Sequence, residues 1–214
     1  MFRLATGFWK TNRIGEVLEQ TTERFLLWVD AVGGYWICLN DNLTLGQSSR
    51  NSTIDVPILG DVSGRHAQIR RDGEVYVIEA IRDVYINEQP VSHLATVSDG
   101  DTIRLGSGVR MKFRQPHPLS ATARLDFVSR HRTQPSTDAI ILMADACVLG
   151  PKRTNHIVCS DWQNDVVLYR RGSNLYCRTN GSMEIDGVGR RNQGPISRNS
   201  RVSGDQFSLS LEAI

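Results

Sequence analysis

Asp61-Val62-Ser63-Gly64-Arg65-His66-Ala67-Gln68-Ile69 reads as a polar loop that runs straight into an alternating strand. Upstream of it, Leu43-Thr44-Leu45-Gly46 is a strand stopped by glycine. Downstream come Tyr85-Ile86-Asn87 and then Ser98-Asp99-Gly100-Asp101, followed by the alternating Thr102-Ile103-Arg104-Leu105. Short β-branched and aromatic runs separated by Gly, Asn and Asp specify strands and tight turns. Helical spacing is absent.

The texture extends outward on both sides. Phe25-Leu26-Leu27-Trp28-Val29 and Tyr35-Trp36-Ile37-Cys38-Leu39 flank Gly33-Gly34 and read as a hairpin. Arg71-Asp72-Gly73-Glu74 before Val75-Tyr76-Val77-Ile78 is a second, since Asp-Gly between alternating strands supplies the positive φ that a tight turn needs. Val109-Arg110-Met111-Lys112-Phe113 alternates as a closing strand. Pro116-His117-Pro118 cannot continue a hydrogen-bonded ladder and marks a boundary. Residues 1 to 22, broken by Gly7, Gly15 and scattered charges, read as an N-terminal arm.

Beyond the prolines the pattern restarts. Arg124-Leu125-Asp126-Phe127-Val128 answers residues 25–29 at a spacing of 99, and Ala139–Gly150 answers Tyr35–Gly46 at 104. Gly204-Asp205 follows Gly100-Asp101 by 104, and Ile185-Asp186-Gly187 follows Ile86-Asn87-Glu88 by 99. Two copies of one all-β unit, residues 23–116 and 119–214, are expected. The prolines 116, 118 and 135 predict a short, stiff connection and a fixed packing of the two units, with Trp28, Trp36 and Trp162 as candidates for that interface or for the cores.

In the first copy, the order of Gly46, Ser63-x-x-His66, Asn87 and Gly100-Asp101 before an apolar strand resembles the forkhead-associated (FHA) domain family. The resemblance implies tandem FHA-like β-sandwiches and a phosphothreonine-peptide-binding adaptor whose partner is a Ser/Thr-phosphorylated protein. It implies a peptide contact at Gln47, Arg50, Ser63, Arg65 and Arg82, with Gly46, His66 and Asn87 as structural support. Two departures stand out: Gly46-Gln47 replaces the family's Gly-Arg, and the loop over Ile81-Arg82-Asp83-Val84 is two residues shorter than usual. In the second copy, Trp162 and Asp165 occupy the Ser63 and His66 positions, and Pro151-Lys152 follows Gly150, so the strands persist while the motif degenerates.

A dianionic phosphothreonine needs hydroxyl, N–H and guanidinium donors converging from several loops, because charge-assisted hydrogen bonds are the strong ones. Ser63 supplies a hydroxyl, or simply caps its own turn. Arg82 replaces a missing amide donor, or pairs with Asp83. Asn87 reads as a turn residue, since Asn tolerates the left-handed region. Arg170-Arg171 and Arg190-Arg191 read as solvated turn charges, because residues 119–214 hold 12 basic and 9 acidic side chains. The alternative to phosphopeptide binding is a phosphate-independent interaction or oligomerisation scaffold.

Other classes find less in the sequence. A net charge of +2 argues against nucleic acid or an anionic membrane as partner. An apolar fraction of 40% supports packed cores. Cys38, Cys147, Cys159 and Cys177 lack metal-ligand spacing and read as buried thiols in a reducing, cytoplasmic setting, with no metal or cofactor. Neither an export signal nor a long apolar run is evident, and the triplets at Asn42, Asn51 and Asn180 are read as chance matches to a glycosylation site. No Gly-x-Ser-x-Gly or phosphate-cradling glycine loop is present, which makes a non-enzyme the expectation.

Overall fold

The computed structural model describes residues 24–47, 54–117 and 119–214, and these contain strands and turns without a helix. The expected N-terminal arm lies outside the described residues. In chain order the first strands are β1 (Arg24–Val29), β2 (Gly33–Cys38), β3 (Asn42–Gly46), β4 (Val56–Leu59), β5 (Ala67–Asp72), β6 (Val75–Ala80), β7 (Val84–Ile86) and β8 (Gln89–Pro90). Then come β9 (Leu94–Val97), β10 (Thr102–Leu105), β11 (Val109–Arg114), β12 (Ala123–Phe127), β13 (Arg132–Thr133), β14 (Ala139–Leu142), β15 (Ala146–Gly150) and β16 (Ile157–Val158). The last are β17 (Val166–Arg171), β18 (Asn174–Thr179), β19 (Met183–Ile185), β20 (Val188–Arg190), β21 (Gln193–Ile196), β22 (Arg201–Gly204) and β23 (Phe207–Ala213).

A 12-stranded sheet of order β20-β19-β22-β23-β1-β2-β14-β12-β11-β10-β7-β8 forms the backbone of the molecule. A six-stranded sheet, β13-β4-β3-β5-β6-β9, and a five-stranded sheet, β16-β15-β17-β18-β21, each add a second layer. The large sheet is palindromic about its centre, where β2 and β14 pair in parallel, Ala139 with Tyr35 through Leu142 with Cys38. A local two-fold axis along these strands relates the two halves. Turning about such an axis exchanges the faces of the sheet, so the two cores lie on opposite faces.

Side-chain burial follows from that geometry. Phe25, Leu27, Tyr35, Ile37, Ala139 and Ile141 face the core beneath the five-stranded sheet. Leu26, Trp36, Cys38, Ile140 and Leu142 face the core beneath the six-stranded sheet. Strands covered on both sides read as continuous apolar runs, which explains Phe25–Val29, Tyr35–Leu39 and Ala139–Leu142. Strands such as β11, with one side wet, bury alternate residues, here Val109, Met111 and Phe113. Trp36 and Trp162 are core residues, whereas Trp28 is 37% exposed, lies against Gly34 and donates its indole N–H to Glu212.

The proline boundary divides the sequence, but the strands do not follow it. Hairpin β1–β2 pairs with β23, Leu27 opposite Leu211, and so closes the second sandwich. Hairpin β12–β14 pairs with β11, Leu125 opposite Phe113, and closes the first. Each sequence unit thus gives its opening hairpin to the other. The described residues between 42 and 142 form one sandwich, and residues 24–38 join 146–213 to form the other.

Two repeat alignments shift as a result. Matching the strands by their core faces sets Leu27 against Leu125 and Tyr35 against Ile140, spacings of 98 and 105, where 99 and 104 were expected. The expected register places inward Phe25 against Arg124, whose side chain lies on the other face; a one-residue slip exchanges faces. The counterpart of the Ser98–Asp101 turn is Ser197–Ser200. The Ser98 N–H donates to the Asp101 carboxylate at 2.8 Å, and the Ser197 N–H to the Ser200 hydroxyl at 2.8 Å. Gly204-Asp205 belongs to the β22–β23 hairpin, not to that turn.

Candidate functional site

At one end of the first sandwich three loops are tied together through a few backbone groups. Gly46 ends β3 so close to the β4–β5 loop that a Cβ there would sit 1.9 Å from the Gly64 carbonyl oxygen, which only glycine avoids. That proximity lets the Gln47 N–H donate to the Ser63 carbonyl at 3.0 Å and the His66 N–H to the Leu45 carbonyl at 2.9 Å. The end of β3 therefore fixes both ends of the Ser63–His66 turn.

His66 is 4% exposed and links that turn to the β6–β7 loop. Its Nδ1 accepts the Ser63 N–H at 3.1 Å, which leaves Nε2 as the protonated nitrogen, donating to the Asp83 carbonyl at 3.0 Å. The His66 carbonyl accepts N–H groups of Ile81 and Arg82 at 3.1 and 2.9 Å, and the Gly106 N–H also reaches the Asp83 carbonyl at 2.8 Å. Three loops are thereby cross-linked through the Ser63 N–H and the carbonyls of His66 and Asp83.

The groups left over face solvent. Ser63 is half-buried, and its hydroxyl forms no hydrogen bond among the described residues, so capping of its own turn is not what the hydroxyl does here. Gln47, Arg65 and Arg82 are exposed. Arg82 reaches only the Ile81 carbonyl, at 3.4 Å, and neither it nor Arg65 pairs with a carboxylate among the described residues; the Arg82–Asp83 pair is not formed. Arg50 lies outside the described residues. Gly46, Gln47, Ser63, Arg65, His66 and Arg82 are thus brought together at one end.

Asn87 stands apart from them, at the far end of β7. With φ near +50° it makes the β7–β8 turn together with Glu88. Its side chain accepts the Thr102 N–H at 3.0 Å and donates to Asp101 at 2.6 Å, bracing the turn before β10. Asp186 repeats this device in the second sandwich, accepting from the Arg201 N–H and the Ser200 hydroxyl at 2.8 and 2.7 Å.

The matching end of the second sandwich has a different interior. A Cβ on Gly150 would meet the Asp165 carboxylate at 2.2 Å, so a larger residue there would have to displace a side chain, not a carbonyl as at Gly46. Asp165 accepts from Asn155 at 2.8 Å and pairs with Lys152 at 3.1 Å. Trp162, at the Ser63 position, is core and packs against Phe207 with ring centroids 5.4 Å apart. Arg170 donates to the Leu39 carbonyl at 2.8 Å, Arg171 lies over Tyr169 and Tyr176, and Arg190 and Arg191 are exposed.

A structural histidine sits beside this end. His156 is fully buried, its Nδ1 accepting the Val148 N–H at 2.9 Å and its ring stacked 5.8 Å from His117. Burial, reinforced by the charge of His117, pushes its pKa down to about 4. Sequence reading gave no weight to either residue in this role.

Residues 43–106 match the FHA domain family, so the first sandwich contains one FHA domain. Similar solved structures include the FHA domain of the CT664 protein from Chlamydia trachomatis, 24% identical, covering 39% of this chain and 89% of that one with a TM-score of 0.29. Another is the FhaA FHA domain complexed with the intracellular domain of Rv3910, 30% identical, covering 38% and 91% with a TM-score of 0.27. A third comes from a structural and functional analysis of phosphothreonine-dependent FHA domain interactions, 29% identical, covering 39% and 88% with a TM-score of 0.28. No curated protein matches the chain.

Proposed function

We propose that this chain, carrying an FHA domain at residues 43–106, is a non-catalytic adaptor that docks a phosphothreonine segment on the loop end of its first sandwich. FHA domains generally bind phosphothreonine peptides in signalling and are not generally enzymes. The observation that carries the reading is the His66 cross-link. It cross-links three loops and, among the described residues, leaves the Ser63 hydroxyl without a hydrogen bond and Arg65 and Arg82 exposed without a carboxylate partner. A phosphate there gains a neutral donor and two guanidinium groups, with Arg82 in the shortened loop compensating for Gln47 in place of arginine.

The second sandwich is a degenerate FHA copy with a phosphate-independent role. Asp165, paired with Lys152, stands where His66 holds the serine loop in the first sandwich, so an incoming dianion meets a carboxylate. The second sequence unit completes the first sandwich through its exchanged hairpin, and the second sandwich serves as scaffold.

The test is titration of a phosphothreonine peptide library, with unphosphorylated controls, against the whole chain. Phosphate-dependent binding that Ser63→Ala weakens is the expected result. Indifference to phosphate, or to Ser63→Ala, would remove this reading and leave the scaffold.

A further inference from the structure

The hairpin exchange carries a second set of cations to the candidate site. Between β12 and β14 the chain passes through Ser129-Arg130-His131-Arg132, a stretch that lies well beyond the matched residues 43–106 and on the far side of the proline boundary. The hairpin's placement on β11 brings this loop against the loop end of the first sandwich. His131 lies against Gly60, where a Cβ would meet its Cδ2 at 2.8 Å, and against Gly108, at 3.4 Å. Gly60 opens the loop that contains Ser63. Gly106, two residues before Gly108, lies against Asp61 and His66.

The loop is held there by its own bonds. Arg132 and Thr133 pair with Leu59 and Ile58 as an added edge strand, and the Gln134 N–H donates to the Pro57 carbonyl at 3.0 Å. Thr133, fully buried, shares a hydrogen bond of 2.7 Å with the Thr137 hydroxyl. Ser129 receives the Arg110 N–H at 3.1 Å and bonds His131 Nδ1 at 2.9 Å. Among the described residues, Arg130 and Arg132 are exposed and have no carboxylate partner; Arg132 reaches only backbone carbonyls of Ser129 and His131. Asp61 and Asp83 are the acidic side chains of the adjoining loops, and neither is engaged by these arginines.

We propose that Arg130 and Arg132 extend the phosphopeptide site and select segments that carry acidic residues beside the phosphothreonine. This inference rests on the phosphothreonine reading above. The occupant follows from charge: anchored cations without a carboxylate partner among the described residues, next to loops that present Ser63 and two further arginines, are complementary to an extended acidic segment. Specificity in this chain thus comes from residues of the second sequence unit acting on the first.

Three peptides titrated against the full chain decide it: a phosphothreonine peptide with neutral flanks, one with Asp and Glu flanks, and the acidic peptide without phosphate. Wild type is expected to prefer the acidic phosphopeptide over the neutral one by about five-fold at low salt, the size two surface charge pairs supply, with the gap closing as salt rises. Arg130→Ala with Arg132→Ala should erase the gap while leaving the neutral phosphopeptide within about two-fold, and Arg178→Ala, on the other sandwich, should leave the gap intact. An unchanged gap in the double variant overturns the inference, as does an equal loss for both phosphopeptides. Absence of any phosphate-dependent binding by wild type removes the underlying reading and this inference with it, an outcome distinct from the other two.

Discussion

Replacing His66 with alanine withdraws an acceptor from the Ser63 N–H and a donor from the Asp83 carbonyl in one step, inside a site that is 4% exposed. Leaving such groups unpaired costs about 1–3 kcal/mol each, so His66→Ala should lower the melting temperature as well as weaken phosphopeptide binding. Ser63→Ala removes a hydroxyl that bonds nothing among the described residues. It should leave the melting temperature unchanged and weaken binding by about 1.5–3 kcal/mol, as calorimetric titration would read. Equal effects of the two variants on stability would contradict this division of roles. His156 gives a separate pH signature. Its folded pKa, about 4, lies below the ordinary 6.5, so its contribution is complete above pH 6.5 and is lost as pH falls toward 4. The loss amounts to about 3 kcal/mol, and His156→Phe should flatten that part of a melting-temperature profile between pH 4 and 7. At this scale the sequence was informative about Ser63 and His66, which sit in one short stretch, and about Gly46, which ends the strand before it. It was silent on Arg130 and Arg132, because nothing local places residue 131 against residue 60.

Hairpins are local objects, and their strands were readable from alternation and turn residues. Their partners were not. Residues 25–38 and 123–142 carry equally apolar inner faces, so pattern alone accepts either pairing with β11 or β23. The choice rests on the central seam, where exchange buries β2 and β14 on both faces. A consequence follows for fragments. Residues 20–118 lack β12 and β14, exposing Met111 and Phe113 and the unpaired edge of β11, whereas residues 42–142 retain every strand of the first sandwich. Size-exclusion chromatography and circular dichroism should find residues 20–118 self-associating or poorly folded, and residues 42–142 cooperatively folded but less stable than the whole chain, since they keep every strand of the first sandwich while losing Leu26, Trp36 and Cys38 from its core and the β2 partner of β14. A stable monomer of residues 20–118 would show that the hairpins return to their own units.

Across the whole molecule the two-fold axis runs along the strands, so the loop ends of both sandwiches point in one direction from opposite faces of a single sheet. β1, β2 and β14 contribute side chains to both cores, Phe25 and Leu27 to one and Leu26 to the other, so neither core can lose its packing without disturbing strands of its neighbour. Proteins joined through a flexible linker melt in separate steps; strands shared between cores couple them. Leu168 is fully buried in the second core and distant in sequence from Ser63. Leu168→Ala should cost about 2–5 kcal/mol through the cavity it leaves. Scanning calorimetry should record that cost as a downward shift of one transition covering both sandwiches, and phosphopeptide affinity measured well below the melting point should stay as in wild type. Two resolved transitions, with only one displaced by Leu168→Ala, would show that the sandwiches unfold independently and that the exchanged hairpins do not couple them.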